Sequence, residues 1–484
     1  MYYTEMENAM ARYMHTFHQS QMNQGRFCKD MELSIWTSPA YWLSKDKKRG
    51  DMCCDTFTYQ FYEQNGKYYC RVLQKRAEGK FMESACGVSM TDFSWYTIQV
   101  MEPWEYEAES PFESLGKYVS LPLKQSIDVQ EYLKIRNVQN MFFERRLHQT
   151  EYIFSDKEDV ELSIESLNLQ NVQGKENIEK ALGRWLEKEV YNHHCYVFLG
   201  INCMPVIEIS DKGDFAEGLF MTQIFQVDAV SEDKRDWKLH RHMGVTKSLF
   251  VKEKGNWKIY RMQIHHLIAL PDVSYKNDIR FDKMGQSDEP WKIDQPISTN
   301  IDEDAAFAIE NIVNRWIYGN RTGKMKEFAR KYMCNPKNEN HMLIRSYGPQ
   351  TVPQNNFDEI LEKLESMDNM YNNRFWSFHS PTTPVIQLNE DGTKGKGTWF
   401  DLAATNLRSM TGKAGTPGLV PYMVFVNKYV HQFEKMEDQW YLVDFYNEPL
   451  ISIPDWALDM DHNKGYITWE DSPQYPELFE FMKG

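Results

Sequence analysis

An internal repeat is the feature that most constrains the fold of this 484-residue chain. Residues 200–222 and 379–401 both contain Pro-Val-Ile, with one glycine eight residues after the proline and another thirteen residues after it. The second stretch begins with a histidine and ends with an aspartate, whereas the first has a glycine and a threonine at those places. Self-similarity indicates repeated structural units, and the unequal ends predict that the units differ in use.

A second pattern follows each of these stretches. Phe250 precedes Trp257 by seven residues, and Phe433 precedes Trp440 by seven, in both cases across a polar turn. The segment FYEQNGKY at 61–68 has the same spacing, with Asn-Gly at its turn. Alternating side chains on both sides of such turns are typical of β-hairpins.

Each full repeat therefore predicts helices followed by a meander of four antiparallel strands. For the third repeat we expect helices at 302–332 and 357–371 and strands at 374–389, 394–407, 420–435 and 439–452. For the second repeat we expect helices at 127–154 and 176–190 and strands at 193–210, 214–229, 236–253 and 256–270. The first repeat has room for one helix at 5–20 and for strands at 30–44, 51–64, 67–76 and 80–99.

The predicted fold class is α+β, with tandem cone-shaped curved antiparallel sheets each wrapped on helices. Two copies are full and one is shortened. The corresponding domains are a shortened one at 1–115, a full one at 116–295, and a full one with a C-terminal arm at 296–484.

The repeated helix–sheet order, the strand pair around Pro-Val-Ile and the closing hairpin resemble the SnoaL-like members of the nuclear transport factor/cystatin-like α+β cone superfamily. The resemblance covers roughly 126–270 and 300–452, and more faintly 5–99. It implies a cavity between sheet and helix. The superfamily includes dehydratases, ketosteroid isomerases, polyketide cyclases and members with no known catalysis, so the fold alone does not give the reaction.

The resemblance also implies positions for two catalytic side chains. SnoaL-like enzymes often carry a histidine on the first strand, which corresponds to His379, and a tyrosine near the end of the long helix, which corresponds to Tyr318. Arg321 stands near the place where those enzymes often have a helix aspartate. This departure and Gly200, in place of a histidine in the second repeat, favour a non-catalytic alternative.

Strand alternation predicts which side chains face each cavity, because successive residues point to opposite faces. With Phe433 and Trp440 taken as inward, the third repeat gives the catalytic candidates Asp401, His431 and Asp444, in addition to His379 and Tyr318, which the resemblance implies. The same face gives the substrate-binding candidates Trp399, Tyr429, Tyr446 and Asn427. With Phe250 and Trp257 inward, the second repeat gives His240, His242, Arg261, His265 and Glu144, and it points His266 away.

Imidazole and carboxylate groups in an apolar cavity are suited to proton transfer, because burial moves the pKa values of both towards neutrality. The favoured interpretation is a cofactor-independent lyase or isomerase, dehydratase-like or ketosteroid-isomerase-like, acting on a hydrophobic cyclic small molecule. His379 would be the base, Asp401 would orient it or act as acid, and Tyr318 or His431 would donate a hydrogen bond to the developing oxyanion. The alternative is a non-catalytic small-molecule-binding or scaffold protein.

Composition narrows the remaining possibilities. The net charge of −15 argues against nucleic acid as a partner, and the apolar runs are too short to span a membrane. The N-terminal residues lack the pattern of a signal peptide, and the eight cysteines lack disulfide-framework spacing, so we expect a cytoplasmic protein. No nucleotide-binding glycine motif and no CxxC pair occurs, so we predict no cofactor and no metal.

Cone domains of the resembled superfamily commonly dimerise sheet against sheet. We therefore expect the second and third repeats to pair within the chain as a pseudo-dimer, with the short repeat covering an edge or contacting another subunit in a homo-oligomer. The identity of the substrate is left open by the sequence.

Overall fold

The structure is a computed structural model, and it describes residues 11, 22–23, 26–30, 33–43, 50–64, 67–83, 89–90, 106–107, 118–121, 128–144, 153–183, 196–229, 237–275, 303–333, 343–346, 356–372, 376–406 and 422–454. The fold is mixed α+β, and the strands form three curved sheets. Within these ranges, no helix has both the length and the apolar character needed to cross a membrane.

The first sheet is built from the N-terminal segment. Its strands are β1 (Met22–Asn23), β2 (Arg26–Asp30), β3 (Leu33–Leu43), β4 (Gly50–Gln64), β5 (Lys67–Glu83), β7 (Tyr106–Glu107) and β8 (Tyr118–Leu121), while β6 (Ser89–Met90) joins the second sheet. The order is β1-β3-β4-β5-β8-β7, and β2 pairs with β3.

The second sheet contains β9 (Glu161–Ile164), β10 (Leu169–Gln173), β11 (Tyr196–Ile209), β12 (Phe215–Ala229), β13 (Trp237–Glu253) and β14 (Asn256–Tyr275). Its order is β10-β9-β14-β13-β12-β11. The third sheet contains β15 (Leu343–Ser346), β16 (Trp376–Leu388), β17 (Lys394–Asn406), β18 (Tyr422–Met436) and β19 (Gln439–Pro454), in the order β15-β19-β18-β17-β16. In both sheets a short strand, β9 or β15, adds parallel to the last strand of an antiparallel meander.

Five α-helices accompany the sheets in the described part of the chain. They are α1 (Val129–Glu144), α2 (Lys175–Leu182), α3 (Glu303–Thr322), α4 (Met325–Phe328) and α5 (Phe357–Asn372), and a π-helical turn at Ala329–Met333 follows α4. The long helix α1 packs on the second sheet, and α3 packs on the third. Their apolar side chains are buried with those of the strands in one continuous core.

Local sequence explains the tight hairpins and the prolines of the repeat. Lys254 and Gly255 join β13 to β14, Glu437 and Asp438 join β18 to β19, and all four have positive φ, as two-residue hairpin turns of the primed types favour. The prolines of the two Pro-Val-Ile motifs lie where β11 and β16 shift register against their neighbours. A bulge suits proline because the residue has no N–H to donate to the ladder.

The second and third sheets contact each other directly. Strand β11 lies beside β16, and α1 lies against both. The side chain of Asn137 donates to the carbonyl of Ile386 at 2.8 Å, and that of Asn140 donates to the carbonyl of Pro384 at 2.8 Å. Strands β2 and β3 of the first sheet also approach β16, which is the edge strand of the third sheet.

The predicted strands of the second and third repeats agree with the structure to within a few residues at most ends. The helix expected at 127–154 is described from Val129 to Glu144, and the strand expected at 67–76 continues to Glu83. The helix expected at 5–20 falls outside the described residues apart from Ala11. The short strands β9, β10 and β15 were not predicted, and the domain limits stay a prediction.

A buried ion pair between the two long helices gives a test of this arrangement. Arg136 of α1 donates to Glu310 of α3, and both side chains are almost completely buried. Glu310→Leu leaves the arginine charge in the interior, so we expect the free energy of unfolding to fall by about 3–5 kcal/mol. Arg136→Met combined with Glu310→Leu should cost less than Glu310→Leu alone. Urea unfolding of the double-mutant cycle measures this coupling, and additive costs would contradict it.

Candidate functional site

A buried carboxylate lies at the centre of the third sheet. Asp401 of β17 is 0% exposed, and its Oδ2 atom accepts hydrogen bonds from three side chains. His379 Nδ1 lies 2.7 Å away, the hydroxyl of Tyr429 lies 2.7 Å away, and the amide nitrogen of Asn427 lies 3.1 Å away. These donors come from the two strands that flank β17, so three adjacent strands meet at one oxygen atom.

Strand register explains why these side chains converge. Asp401 is paired with Asn427 on β18 and with Pro381 on β16. His379 precedes Pro381 by two residues and Tyr429 follows Asn427 by two, so alternation puts all of them on the same face of the sheet. We call this the inner face, because Phe445, which is paired with His431 on the same face, packs on Trp316 of the long helix α3.

The inner face is closed by aromatic side chains. Tyr429 and Phe445 stack on the ring of His431 with centroid distances of 5.2 and 4.4 Å, and Trp399 lies at 5.7 Å. Trp316 of α3 packs on Phe445 at 4.7 Å. Aromatic rings from both the sheet and the helix therefore pack around His431 on this face.

The contact with Asp401 relates to the tautomer of His379. A neutral ring that donates to the Oδ2 atom of Asp401 carries its hydrogen on Nδ1. The Nε2 atom then carries the lone pair. The side chain of His379 is 11% exposed, whereas that of Asp401 is 0% exposed, so the histidine is the member of the pair that solvent or a ligand can reach.

His431 has a different environment. It is 1% exposed, and neither of its ring nitrogens has a side-chain hydrogen-bond partner among the described residues. Burial lowers the pKa of His431 to about 3, although the backbone of Val430 and the charge of Asp401 act in the opposite direction. At neutral pH this imidazole is uncharged and has one N–H to donate.

A β-bulge changes the predicted face of the last strand. Phe433 is paired with Leu442 and Gln432 with Asp444, so Val443 is an extra residue in β19. The bulge puts Phe445, and not Asp444, on the inner face beside His431. The prediction that Asp444 faces the same side of the sheet as His431 is therefore wrong. The adjacent apolar residues of Leu-Val in this strand, which interrupt its alternation, are the signal that could have revealed the bulge.

The corresponding bulge in the second sheet lies at Tyr260, where Phe250 is paired with Ile259 and Leu249 with Arg261. Beyond it the buried residues are Met262 and Ile264, and Arg261 is exposed. The prediction that Arg261 lines a cavity is wrong for this reason.

The histidines of the second sheet form their own cluster. His266 meets His242 at a centroid distance of 5.1 Å, whereas His265 contacts Glu165 through Nδ1 at 2.5 Å. We expected His265 to face the cavity and His266 to point away from it, and the two are found the other way round. Burial lowers the pKa of His266, the charge of Glu165 opposes this, and the neighbouring His265 adds to it. His240 lies 3.6 Å from Asp228.

The second sheet has different groups at the places equivalent to His379 and Asp401. Gly200 stands for the histidine, and a side chain there would meet the ring of Phe143, since an added Cβ would lie 2.1 Å from it. Thr222 occupies the position equivalent to Asp401, and Thr246 occupies the position equivalent to Tyr429. The hydroxyl groups of the two threonines lie 2.6 Å apart. The phenylalanine of α1 thus fills the space that the histidine occupies in the third sheet.

Neutral polar groups complete this network. Thr222 donates to Asn202 at 2.9 Å, and Asn202 donates to Asn140 of α1 at 3.3 Å. Ser248, at the place of His431, donates to Gln139 at 2.6 Å. The second site is therefore satisfied by its own side chains and contains no imidazole–carboxylate pair at these places.

Three predicted residues cannot be placed at the level of their side chains. Tyr318 lies in α3, Glu144 ends α1, and Tyr446 lies in β19, but their side chains are outside what the structure describes. Among the described residues, no group of three or more His, Cys, Asp or Glu side chains is arranged to hold a metal ion.

No protein-family model matches the chain, and no curated protein matches it. Solved structures do show partial similarity. A candidate scytalone dehydratase from Novosphingobium aromaticivorans DSM 12444 is 16% identical, and the match covers 31% of this chain and 89% of that one with a TM-score of 0.24. The Kfla4162 protein from Kribbella flavida is 14% identical, with 33% and 99% coverage and a TM-score of 0.25.

A hexachlorocyclohexane dehydrochlorinase of LinA type 3 from Novosphingobium barchaimii LL02 is also similar. It is 12% identical, the match covers 31% of this chain and 90% of that one, and the TM-score is 0.23. Each of these matches covers about a third of this chain.

The burial of His431 predicts a pH-dependent stability. Its pKa in the folded protein, about 3, lies below the ordinary value of 6.5, so as the pH falls below 6.5 the unfolded chain takes up a proton that the folded protein refuses. Stability from this group is present above that pH and is lost on acidification by about 1.4 kcal/mol per pH unit. We expect the stability difference between wild type and His431→Phe to fall by about 2 kcal/mol from pH 7 to pH 5 in urea unfolding. An unchanged difference would show that the imidazole is not buried.

Because the ring of Phe143 fills the space next to Gly200, we expect the stability effects of mutations at these two positions to be coupled. Gly200→Ala forces a methyl group against Phe143, and such overpacking typically costs about 1–3 kcal/mol. In a Phe143→Ala background the space is available, so the cost of Gly200→Ala should largely disappear. Chemical unfolding of the four variants measures this coupling. An equal cost in both backgrounds would mean that the ring does not fill this space.

Proposed function

We propose that the chain is a cofactor-independent lyase or isomerase that acts on a hydrophobic cyclic small molecule by proton transfer at His379. The observation that carries the proposal is the contact of 2.7 Å between His379 Nδ1 and the fully buried carboxylate of Asp401. A non-catalytic ligand-binding protein has no need to bury a carboxylate and orient an imidazole with it, because an apolar cavity is filled more cheaply by apolar side chains.

His379 is the proposed general base. Its Nε2 lone pair, opposite the hydrogen-bonded Nδ1, takes a proton from a carbon next to a carbonyl group of the substrate. The Asp401 carboxylate stabilises the imidazolium that forms, because opposite charges attract strongly where water is excluded. The same proton then returns to a leaving hydroxyl group in a dehydration, or to another carbon in an isomerisation, so no redox partner is needed.

Asn427 and Tyr429 have a different proposed role from the substrate binding that the sequence favoured. Both donate to Asp401 Oδ2. They fix the direction in which the carboxylate faces His379. Trp399 and the other rings of the inner face are left as the surface against which a flat substrate would pack.

His431 is the proposed donor to the developing oxyanion. Its neutral ring has one N–H and no competing side-chain partner among the described residues. The ring is stacked on Tyr429 on the inner face. A preorganised donor in a water-excluded site stabilises charge that appears only in the transition state. Tyr318 stays a second candidate for this role.

We also propose that the second and third units are tandem copies of one cone fold, with limits near 116–295 and 296–484, and that only the third is catalytic. The bulges at equivalent places and the prolines in both first strands support a common ancestry. The neutral network around Thr222 and the ring of Phe143 support a structural role for the second copy. The two copies would act as an intramolecular pseudo-dimer.

The alternative is a binding protein that retains a ligand without changing it. The closed site of the second sheet supports this alternative, because one of the two full copies holds no acid–base pair at the equivalent positions. The two functions differ in a single measurable property, which is the exchange of a substrate proton.

The test is hydrogen exchange in deuterated water. Cyclic ketones, hydroxy ketones and a cell metabolite extract are incubated with the protein, and mass spectrometry detects deuterium uptake or loss of water. His379→Gln should lower the rate by about 10²–10⁴-fold, because the general base is lost, and Asp401→Asn should lower it as well. His266→Gln is the matched control, since that histidine lies in the second sheet. Compounds that bind without exchange or dehydration would favour the binding protein, and full activity in His379→Gln would end the proposal.

A further inference from the structure

Strand β16 contains a strained residue close to the proposed base. Thr383 has a φ of 57°. This left-handed conformation is rare for β-branched side chains, costs on the order of 1–3 kcal/mol, and persists only where the surroundings enforce it. Thr383 lies in the bulge of β16, four residues after His379, and is 1% exposed.

The surroundings that hold Thr383 belong to the second sheet. The hydroxyl of Thr383 accepts a hydrogen bond from the backbone N–H of Asn202 at 2.9 Å and donates one to the carbonyl of the same residue at 3.3 Å. The next carbonyl, that of Pro384, accepts a hydrogen bond from Asn140 of α1 at 2.8 Å. Two consecutive residues of the bulge are thus fixed by two asparagines of the neighbouring unit.

The same asparagines belong to the neutral network that replaces the acid–base pair in the second sheet. Asn202 accepts from Thr222, the counterpart of Asp401, and donates to Asn140. The second site is therefore linked by hydrogen bonds to the strand that carries His379.

The bulge determines the register in which β16 pairs with β17 beside the proposed site. The register with β17 shifts between Thr382 and Val385, and on the side of His379 the strand is paired so that Pro381 lies opposite Asp401. A change in the backbone at the bulge therefore moves His379 relative to the carboxylate on the adjacent strand. A displacement of about 1 Å is enough to lower catalysis by roughly 10²-fold.

We propose that Thr383 is a positioning residue, through which the second unit holds β16 so that His379 keeps its contact with Asp401. The effect on turnover rests on the proposed function of His379. The effect on the geometry of His379 does not, because that geometry is measured without substrate. The second unit would thus contribute to the active site of the third without touching a ligand.

The test compares variants that differ only in the hydroxyl group and in backbone strain. Thr383→Val keeps the branched shape but cannot hydrogen-bond to Asn202. Thr383→Ser keeps the hydroxyl. Thr383→Gly removes the hydroxyl and relieves the positive φ at the same time, so it should fold even where the valine variant does not.

The first readout is the ring ¹⁵N spectrum of the free protein, in which His379 is assigned by its absence from His379→Gln. Wild type and Thr383→Ser should show one tautomer, with the hydrogen on Nδ1. Thr383→Val and Thr383→Gly should show a mixture of tautomers. A single unchanged tautomer in a folded valine or glycine variant would overturn the proposal, since a purely structural contact would lower stability and leave the ring as it is.

The second readout is turnover of any compound that exchanges in deuterated water. Thr383→Val should lower kcat by roughly ten- to a hundredfold with little change in KM, and Thr383→Ser should retain most of the activity. If the tautomer changes but no compound is ever turned over, the positioning role stands and the proposed reaction fails. A change in KM alone would instead overturn the role of Thr383, because it would indicate a contact with the ligand.

Discussion

The burial of one carboxylate determines the design of the third sheet. Taking an ionised group out of water costs several kcal/mol unless donors replace the lost hydration. Asp401 receives three donors at one oxygen atom, and they come from the strands on both sides of its own. A shift of either neighbour by one residue would turn its donors to the opposite face, so the hydrogen bonds of Asp401 depend on the register of three strands.

The second sheet shows what the same backbone positions become without that charge. With a threonine in place of the aspartate, short neutral side chains are enough to satisfy one another, and the first strand can carry Gly200. The absence of a side chain there admits Phe143, which fills the volume at the high packing density of a protein interior. The third sheet thus has a buried carboxylate in contact with a largely buried imidazole, and the second sheet has a neutral polar network that reaches its neighbour.

The sequence alone predicted the long strands of both full units, because seven-residue hairpin spacing and alternation are local properties. The resemblance pointed to His379 and alternation to Asp401, and the structure places the two 2.7 Å apart; their catalytic role stays a prediction. Alternation alone did not predict the bulges, because an extra residue depends on which partner each strand has across the ladder. One bulge was enough to misplace Asp444, and its counterpart misplaced Arg261.

The roles of Asn427 and Tyr429 were missed for a related reason. Alternation gives the face on which a side chain lies, but it does not say whether that side chain meets a ligand or another residue. Burying Asp401 requires partners, and residues at the same level on the adjacent strands can reach its Oδ2 atom without crossing the sheet. The same reasoning applies to Thr383, whose strained conformation has no local cause in the sequence and is explained only by the contact with Asn202. In both cases the contacts come from adjacent strands or from the adjacent unit, which the pattern of a single strand does not contain.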